Sequence, residues 1–314
     1  PEPTLEAYDF FLRGRAAESR SRGEEDLRVA LQMYEQAVAA DSTYALAYVR
    51  LGFTHRRLFW FGFERGAETL SKSKAAVDKA FEIMPDLTEA HVARAWYLYQ
   101  IDRDFDGALA TLDLVDPSLD FEPQLRGSIY RRAGDFEAAV RSFSRAFDLF
   151  PRSSGNMVDL GNSFAALGMH VQANRSFESA QEIGFPDWAA FWWQAWNHLL
   201  WTGDTDLARE ALQEAEIQNT TGRGRDWFVV ELLAGNYDVA LSYVVDAGEW
   251  IRGQYGDASR DLLVGEAYYW LGDDESQARF QAARELLQTR LASDVDNPYT
   301  NRELAWAHAR LGEG

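Results

Sequence analysis

The chain has 314 residues, 46% hydrophobic, 14% aromatic and 26% charged, a balance that supplies a globular core and excludes intrinsic disorder. The absence of cysteine excludes disulfides, a thiolate nucleophile and a cysteine-based zinc site. Acidic residues outnumber basic ones by 50 to 31, and the net charge of -19 repels a phosphate backbone, so nucleic acid is not an expected partner.

In chain order, apolar positions recur at three- and four-residue steps, helix after helix, in windows of about 12–15 residues. The first pair carries Tyr8 and Leu12, then Ala30, Tyr34 and Ala37; the second Leu51, Gly52 and Ala80; the third Trp96, Tyr99 and Ala108. In the fourth, Gly127, Tyr130, Gly134, Ala139, Phe143, Ala146 and Pro151 return 34 residues later as Gly161, Phe164, Gly168, Ala173, Phe177, Ala180 and Phe185. Later pairs hold Gly203, Ala208 and Ala215, then Gly235 and Ala240, then Gly265, Tyr268 and Gly272. Gly134-Asp135, Gly203-Asp204, Gly235-Asn236 and Gly272-Asp273 read as turns in which a left-handed glycine ends one helix and the Asp or Asn caps the next. Strand-like alternation is absent. At Trp196, which falls where the earlier pairs have glycine, the helices are expected to spread or kink.

The 34-residue spacing, with small residues at helix contacts and aromatics between them, resembles the tetratricopeptide repeat. The resemblance covers nearly the whole chain. It implies an all-α, right-handed superhelix, an α-solenoid of about eight helix pairs and a terminal helix, in a single array. The expected units are 6–43, 45–87, 89–119, 120–153, 154–187, 189–220, 221–254 and 258–297, with the terminal helix at 301–311. Insertions lengthen the first unit near residues 19–23 and the second near Phe59 to Glu68. The aromatic run Phe59-Trp60-Phe61-Gly62-Phe63 is expected to fold back onto the groove rather than stand in solvent.

A narrower resemblance rests on Glu6 to Arg15, the stretched second unit and Lys74-Ala75-Ala76 through Glu89-Ala90-His91. It is to the C-terminal repeat arrays of bacterial multidomain signalling proteins, which follow an adenylate cyclase, kinase or winged-helix module. It implies a sensing or partner-binding region attached to an effector. The start on Pro1, with no leader-like segment, fits a piece of a longer protein. A cytoplasmic location is expected, and no membrane partner, because no apolar stretch nears the roughly 20 residues that span a bilayer.

Catalytic constellations are not found, and neither a cofactor nor a metal is expected. The five histidines are isolated, and Gly222-Arg223-Gly224-Arg225 lacks phosphate-loop spacing. Asp102, Asp104, Asp106, Gly107 and Asp113 mimic a calcium loop, but they fall on an inter-helix turn where a helix must begin near Phe105. The chain is therefore read as a non-enzyme that binds a protein or peptide.

In tetratricopeptide arrays the first helix of each pair lines the concave groove. Its outward positions here are Arg50, Phe53, Arg56 and Arg57, then Arg94 and Tyr97, then Arg131 and Arg132. Guanidinium forks suit carboxylates, so an acidic peptide is the expected ligand, with internal ion pairs as the competing use of these arginines. Further along come Asn162, Trp193, Asn197 and Trp201; an asparagine at the ninth place holds a peptide backbone in peptide-binding members of the family. Two other readings stand beside this one. A helical carbohydrate-binding or glycoside-active protein would use the tryptophans, yet no carboxylate pair has a reason to face a cleft. A homo-oligomeric scaffold would be distinguished by sedimentation.

Overall fold

The computed structural model describes residues 2–20, 23–64, 66–116, 119, 122–183, 188–217, 224–251, 257–293 and 298–313. Among them the chain forms two compact units, residues 1–151 and 152–314. Both are built of helix pairs. In the first, α1 (Leu5–Arg20) packs on α2 (Glu24–Ala40), α3 (Ala45–Trp60) on α4 (Ala67–Ile83), α5 (Thr88–Tyr97) on α6 (Phe105–Leu112), and α7 (Glu122–Ala133) on α8 (Phe136–Leu149). In the second, α9 (Ser154–Ala166) packs on α10 (His170–Glu182), α11 (Trp188–Thr202) on α12 (Thr205–Ile217), α13 (Gly224–Leu233) on α14 (Tyr237–Ser242), and α15 (Arg260–Leu271) on α16 (Ser276–Ser293). Helix α17 (Pro298–Leu311) closes against α16, where Ala307 joins Leu262, Phe280 and Leu287 in the core.

In four of the eight pairs, among the described residues, a glycine on the first helix meets a ring on the second, the first of them Gly14 against Tyr34. A Cβ added at Gly127 would meet the Phe143 ring at 2.9 Å, at Gly161 the Phe177 ring at 2.5 Å, and at Gly265 the Phe280 ring at 2.9 Å. The three rings are fully buried, and burying each contributes about 1.5–3 kcal/mol. The sixth pair does not spread around Trp196. Ala195 fills the slot, buried with Phe191, Ala208 and Leu212, while Trp196 stacks on Trp192 at 5.6 Å. The physical reason is one extra residue: Ala195 to Gly203 is one longer than Gly161 to Gly168, so counting back from the turn misplaces the contact.

All four predicted turn glycines are left-handed, but the predicted capping holds at two of the four turns; Asp273 accepts the Glu275 N–H at 2.9 Å, ahead of α16, which begins at Ser276. Gly134, Gly203, Gly235 and Gly272 adopt φ of 86°, 71°, 78° and 73°, a region in which a Cβ is strained. Asp135 caps α8 by accepting from the Ala138 N–H at 2.9 Å, and Asp204 accepts from Leu207 at 3.0 Å. Asn236 does not cap; its amide donates to Glu231 at 2.7 Å. In the third pair Arg103 occupies the left-handed place at φ 55°, after a π-helical turn at Leu98–Asp102. Asp104 then caps α6 through Gly107 N–H at 2.9 Å, so the calcium-like pattern is used as a turn and helix start.

The short ladder of β1 (Trp250–Ile251) with β2 (Ala258–Ser259) was not signalled by alternation. It follows the six-residue α14, where the β-branched pair Val244-Val245 and then Gly248 disfavour a longer helix. Arg290 lies over the Trp250 ring at 4.0 Å, and Glu303 of α17 accepts the Ser259 N–H at 3.2 Å, pinning the ladder to both final helices. No helix among the described residues is long and apolar enough to cross a membrane.

Candidate protein-binding surfaces

In the first unit, the expected arginine strip is divided by what lies opposite it. Glu18, at the end of α1 and with its side chain only 10% exposed, accepts from the Tyr34 hydroxyl at 2.8 Å and pairs with Arg57 at 3.3 Å and Arg50 at 3.6 Å. Burial, and then the Glu18 carboxylate, push the Tyr34 hydroxyl pKa up. The carboxylate thus ties α1, α2 and α3 together and engages two of the predicted arginines. Arg94 stacks on Phe81 of α4 at 5.5 Å. Tyr97 is half-buried, with its hydroxyl pKa raised by burial and then by Asp102.

Arg56 has a different environment. Only 7% exposed, its guanidinium lies between the rings of Phe53 at 4.9 Å and Trp96 of α5 at 4.7 Å, and it donates to the Gln100 side-chain oxygen. Its Nε has no hydrogen-bond partner, and no carboxylate among the described residues forms an ion pair with it. Burial, reinforced by neighbouring Arg57, pushes its pKa down to about 9, so it remains a cation at neutral pH. Arg132 of α7 lies over Trp60 at 4.8 Å and Tyr99 at 5.5 Å. The aromatic insert folds back only in part: Trp60 lies beneath Arg132, the Arg57 guanidinium is 6.0 Å from the Phe61 ring, and Phe63 N–H returns to the Leu58 carbonyl at 2.9 Å, while Trp60 and Phe61 stay 36% and 41% exposed. Arg131 is half-buried on the same helix.

The structure thus gathers Phe53, Arg56, Arg57 and Arg132 with Trp60, Trp96 and Tyr99. Sequence reading placed Gln100 on the groove-facing side of the third pair but missed Glu18, Trp96 and Tyr99 as members of this group. The signal for Trp60 was present in the insert, whereas Glu18 gives none, being one acidic residue among fifty.

In the second unit, the amide of Asn197 is turned inward. It is 1% exposed, donates to the His170 carbonyl at 3.0 Å and to Asn174 Oδ1 at 2.7 Å, and accepts from His170 Nδ1 at 2.8 Å. Both N–H donors of that amide are engaged, so neither is left to hold a peptide carbonyl. Asn174 Nδ2 lies 3.4 Å from His198 Nε2, and burial lowers the His198 pKa. Asn162 is half-buried with its Oδ1 unpartnered among the described residues, and Trp193 is half-buried. Trp201 is exposed, stacked on His170 at 5.9 Å and 12° between planes. Among the described tryptophan side chains of α11, Trp192, Trp193 and Trp196 are half-buried and Trp201 is exposed, with Trp192 packed against the core.

Successive helix hairpins joined through small-residue contacts define an all-α solenoid. No protein-family model and no curated protein matches the chain. Solved structures do match. A tetratricopeptide repeat protein from Parabacteroides merdae aligns over 96% of this chain and 98% of its own, with a TM-score of 0.55 at 12% identity. PilW, a type IV pilus biogenesis factor, aligns over 67% of this chain and 91% of its own, with a TM-score of 0.53 at 18% identity. At these identities the likeness is one of fold, and the fold is the tetratricopeptide solenoid.

Proposed function

We propose that the chain is a non-catalytic tetratricopeptide scaffold whose first unit binds an acidic segment of a protein partner. It would serve as the partner-binding region of a larger bacterial signalling protein. The observation that carries the reading is Arg56, a buried guanidinium with no carboxylate of its own in a chain that holds 50 acidic residues. Such a charge is costly unless a partner supplies an anion. Aromatic faces on both sides fix the fork in one orientation, and Arg132 on Trp60 adds a second cation beside it. The carbohydrate reading draws no support from this geometry, since the rings here are stacked under arginines.

The test is fluorescence anisotropy of a dye-labelled peptide of Asp and Glu with one Phe. Arg56→Met with Arg132→Ala should weaken binding at least about tenfold, the effect of losing about 1.4 kcal/mol. Arg94→Ala, which alters only the stack on Phe81, should leave affinity within about twofold. Unchanged binding in the double variant rejects the site.

A further inference from the structure

The second unit carries an apolar edge that the proposed function does not use. Two residues before the left-handed glycines of three successive pairs, Gly203, Gly235 and Gly272, stand Trp201, Leu233 and Trp270, at 47%, 57% and 50% exposure. Leu207 and Val239, in the first turns of α12 and α14, and Leu271 beside Trp270 are exposed as well. The repeat period places one large apolar side chain per pair on the same edge, where a solvated turn needs none.

Consecutive turns are locked side by side. His170 stacks on Trp201, Arg209 of α12 donates twice to Glu231 of α13 at 2.8 and 3.0 Å, and Tyr237 stacks on Trp270 at 6.0 Å. Arg310 of α17 lies over Tyr269 at 4.3 Å and pairs with Glu266. The two cations of the edge are thus already neutralised, Arg209 by Asp206 and Glu231 and Arg310 by Glu266. Exposed Asp238, Asp273, Asp274 and Glu275 are not, and the half of the chain that bears them is the more acidic one.

We propose that this edge docks a cationic amphipathic segment of a protein partner, one that alternates lysine or arginine with large apolar side chains. Charge complementarity selects this occupant. A second copy would bring the same carboxylates against one another, and like charges across an interface are repulsive. Geometry agrees: with about 10 Å between packed helices, the turns repeat at a spacing that a helix covers in about seven residues at 1.5 Å each. Apolar anchors at heptad intervals would then meet successive turns.

The experiment measures anisotropy of a dye-labelled helical peptide of roughly 18 residues, leucine on one face and lysine elsewhere, with the full chain at low and at physiological salt. Trp201→Ser with Trp270→Ser keeps the net charge and should weaken binding at least tenfold. Asp238→Asn with Asp274→Asn and Glu275→Gln should weaken it at least tenfold at low salt. A peptide with glutamate in place of lysine should not bind. The Arg56→Met, Arg132→Ala variant should bind the lysine peptide as the parent does, which separates this edge from the first unit. Should the double tryptophan variant fail to fold by circular dichroism, Leu233→Ser replaces it, with a loss of at least threefold expected. Equal binding by the folded apolar variant overturns the proposal, since net charge alone then attracts the peptide. A parent dimer that the tryptophan variant dissolves, seen by sedimentation, overturns it too, because a second copy would be the occupant.

Discussion

Replacing Gly161 by alanine isolates the contact on which the pairs are built. The new Cβ would stand 2.5 Å from Phe177 Cε1 and 2.8 Å from Cδ1, whereas carbon atoms rest at about 3.5–4.0 Å. Phe177 is fully buried, so the ring has to move roughly 1 Å into occupied space or α9 has to lift from α10. Overpacking of this kind costs about 1–3 kcal/mol. Helix propensity returns about 1 kcal/mol when glycine becomes alanine, which leaves a net loss of about 0–2 kcal/mol. Gly155, on the same helix, has nothing within 4 Å of its added Cβ; there the same change should stabilise by up to about 1 kcal/mol. Urea unfolding followed by circular dichroism at 222 nm would measure both, with the slope unchanged. Adding Phe177→Leu to Gly161→Ala should cost less than the two single changes summed, by about 1 kcal/mol. If Gly161→Ala stabilises the protein as Gly155→Ala does, the glycine–ring contact is not what holds the pair.

The Arg103→Gly change should raise stability by about 0.5–1 kcal/mol, because a left-handed backbone at φ 55° strains any residue with a Cβ; a drop in the urea midpoint would contradict it. Glu18→Ala removes the carboxylate that Arg50, Arg57 and the Tyr34 hydroxyl share, and a loss of about 2–3 kcal/mol is expected by the same assay, with Tyr34→Phe costing about 1. Asn197→Ala removes three internal hydrogen bonds and should cost about 2–3 kcal/mol; a neutral result would mean that water replaces the amide. Burial lowers the pKa values of His55 and His198, so the unfolded chain takes up protons first as pH falls below about 6.5, and their contribution to stability is present above that pH and lost beneath it. The urea midpoint should fall between pH 7.5 and 5.5, and fall less in His55→Gln with His198→Gln; an equal fall in both proteins would assign the loss to other groups.

The helix pairs were legible because their cause is local. A glycine opposite a ring and a left-handed glycine before an aspartate are set within one pair, and both recur at a period that spacing reveals. Turn chemistry failed at Asn236, where Glu231 offers the amide a carboxylate one turn earlier. It was incomplete at Arg103, a non-glycine residue in the glycine place. Register failed at Trp196 through one extra residue. The arginine strip was legible only as a face: helical spacing says which side chains share a side, but not that Glu18, 32 positions before Arg50, reaches that side first. Asn197 fell to the same limit, since its two partners, His170 and Asn174, lie on another helix more than 20 residues away.

The placement of the tryptophans makes the two units optically distinct. Nine of the eleven fall after residue 151, so intrinsic emission at 295 nm excitation reports chiefly on the second unit. The two in the first unit, Trp60 and Trp96, are the rings that carry Arg132 and Arg56. A ligand that draws either guanidinium off its indole changes the emission of that ring directly. With the nine others replaced by phenylalanine, the first unit would report its own occupancy without a label.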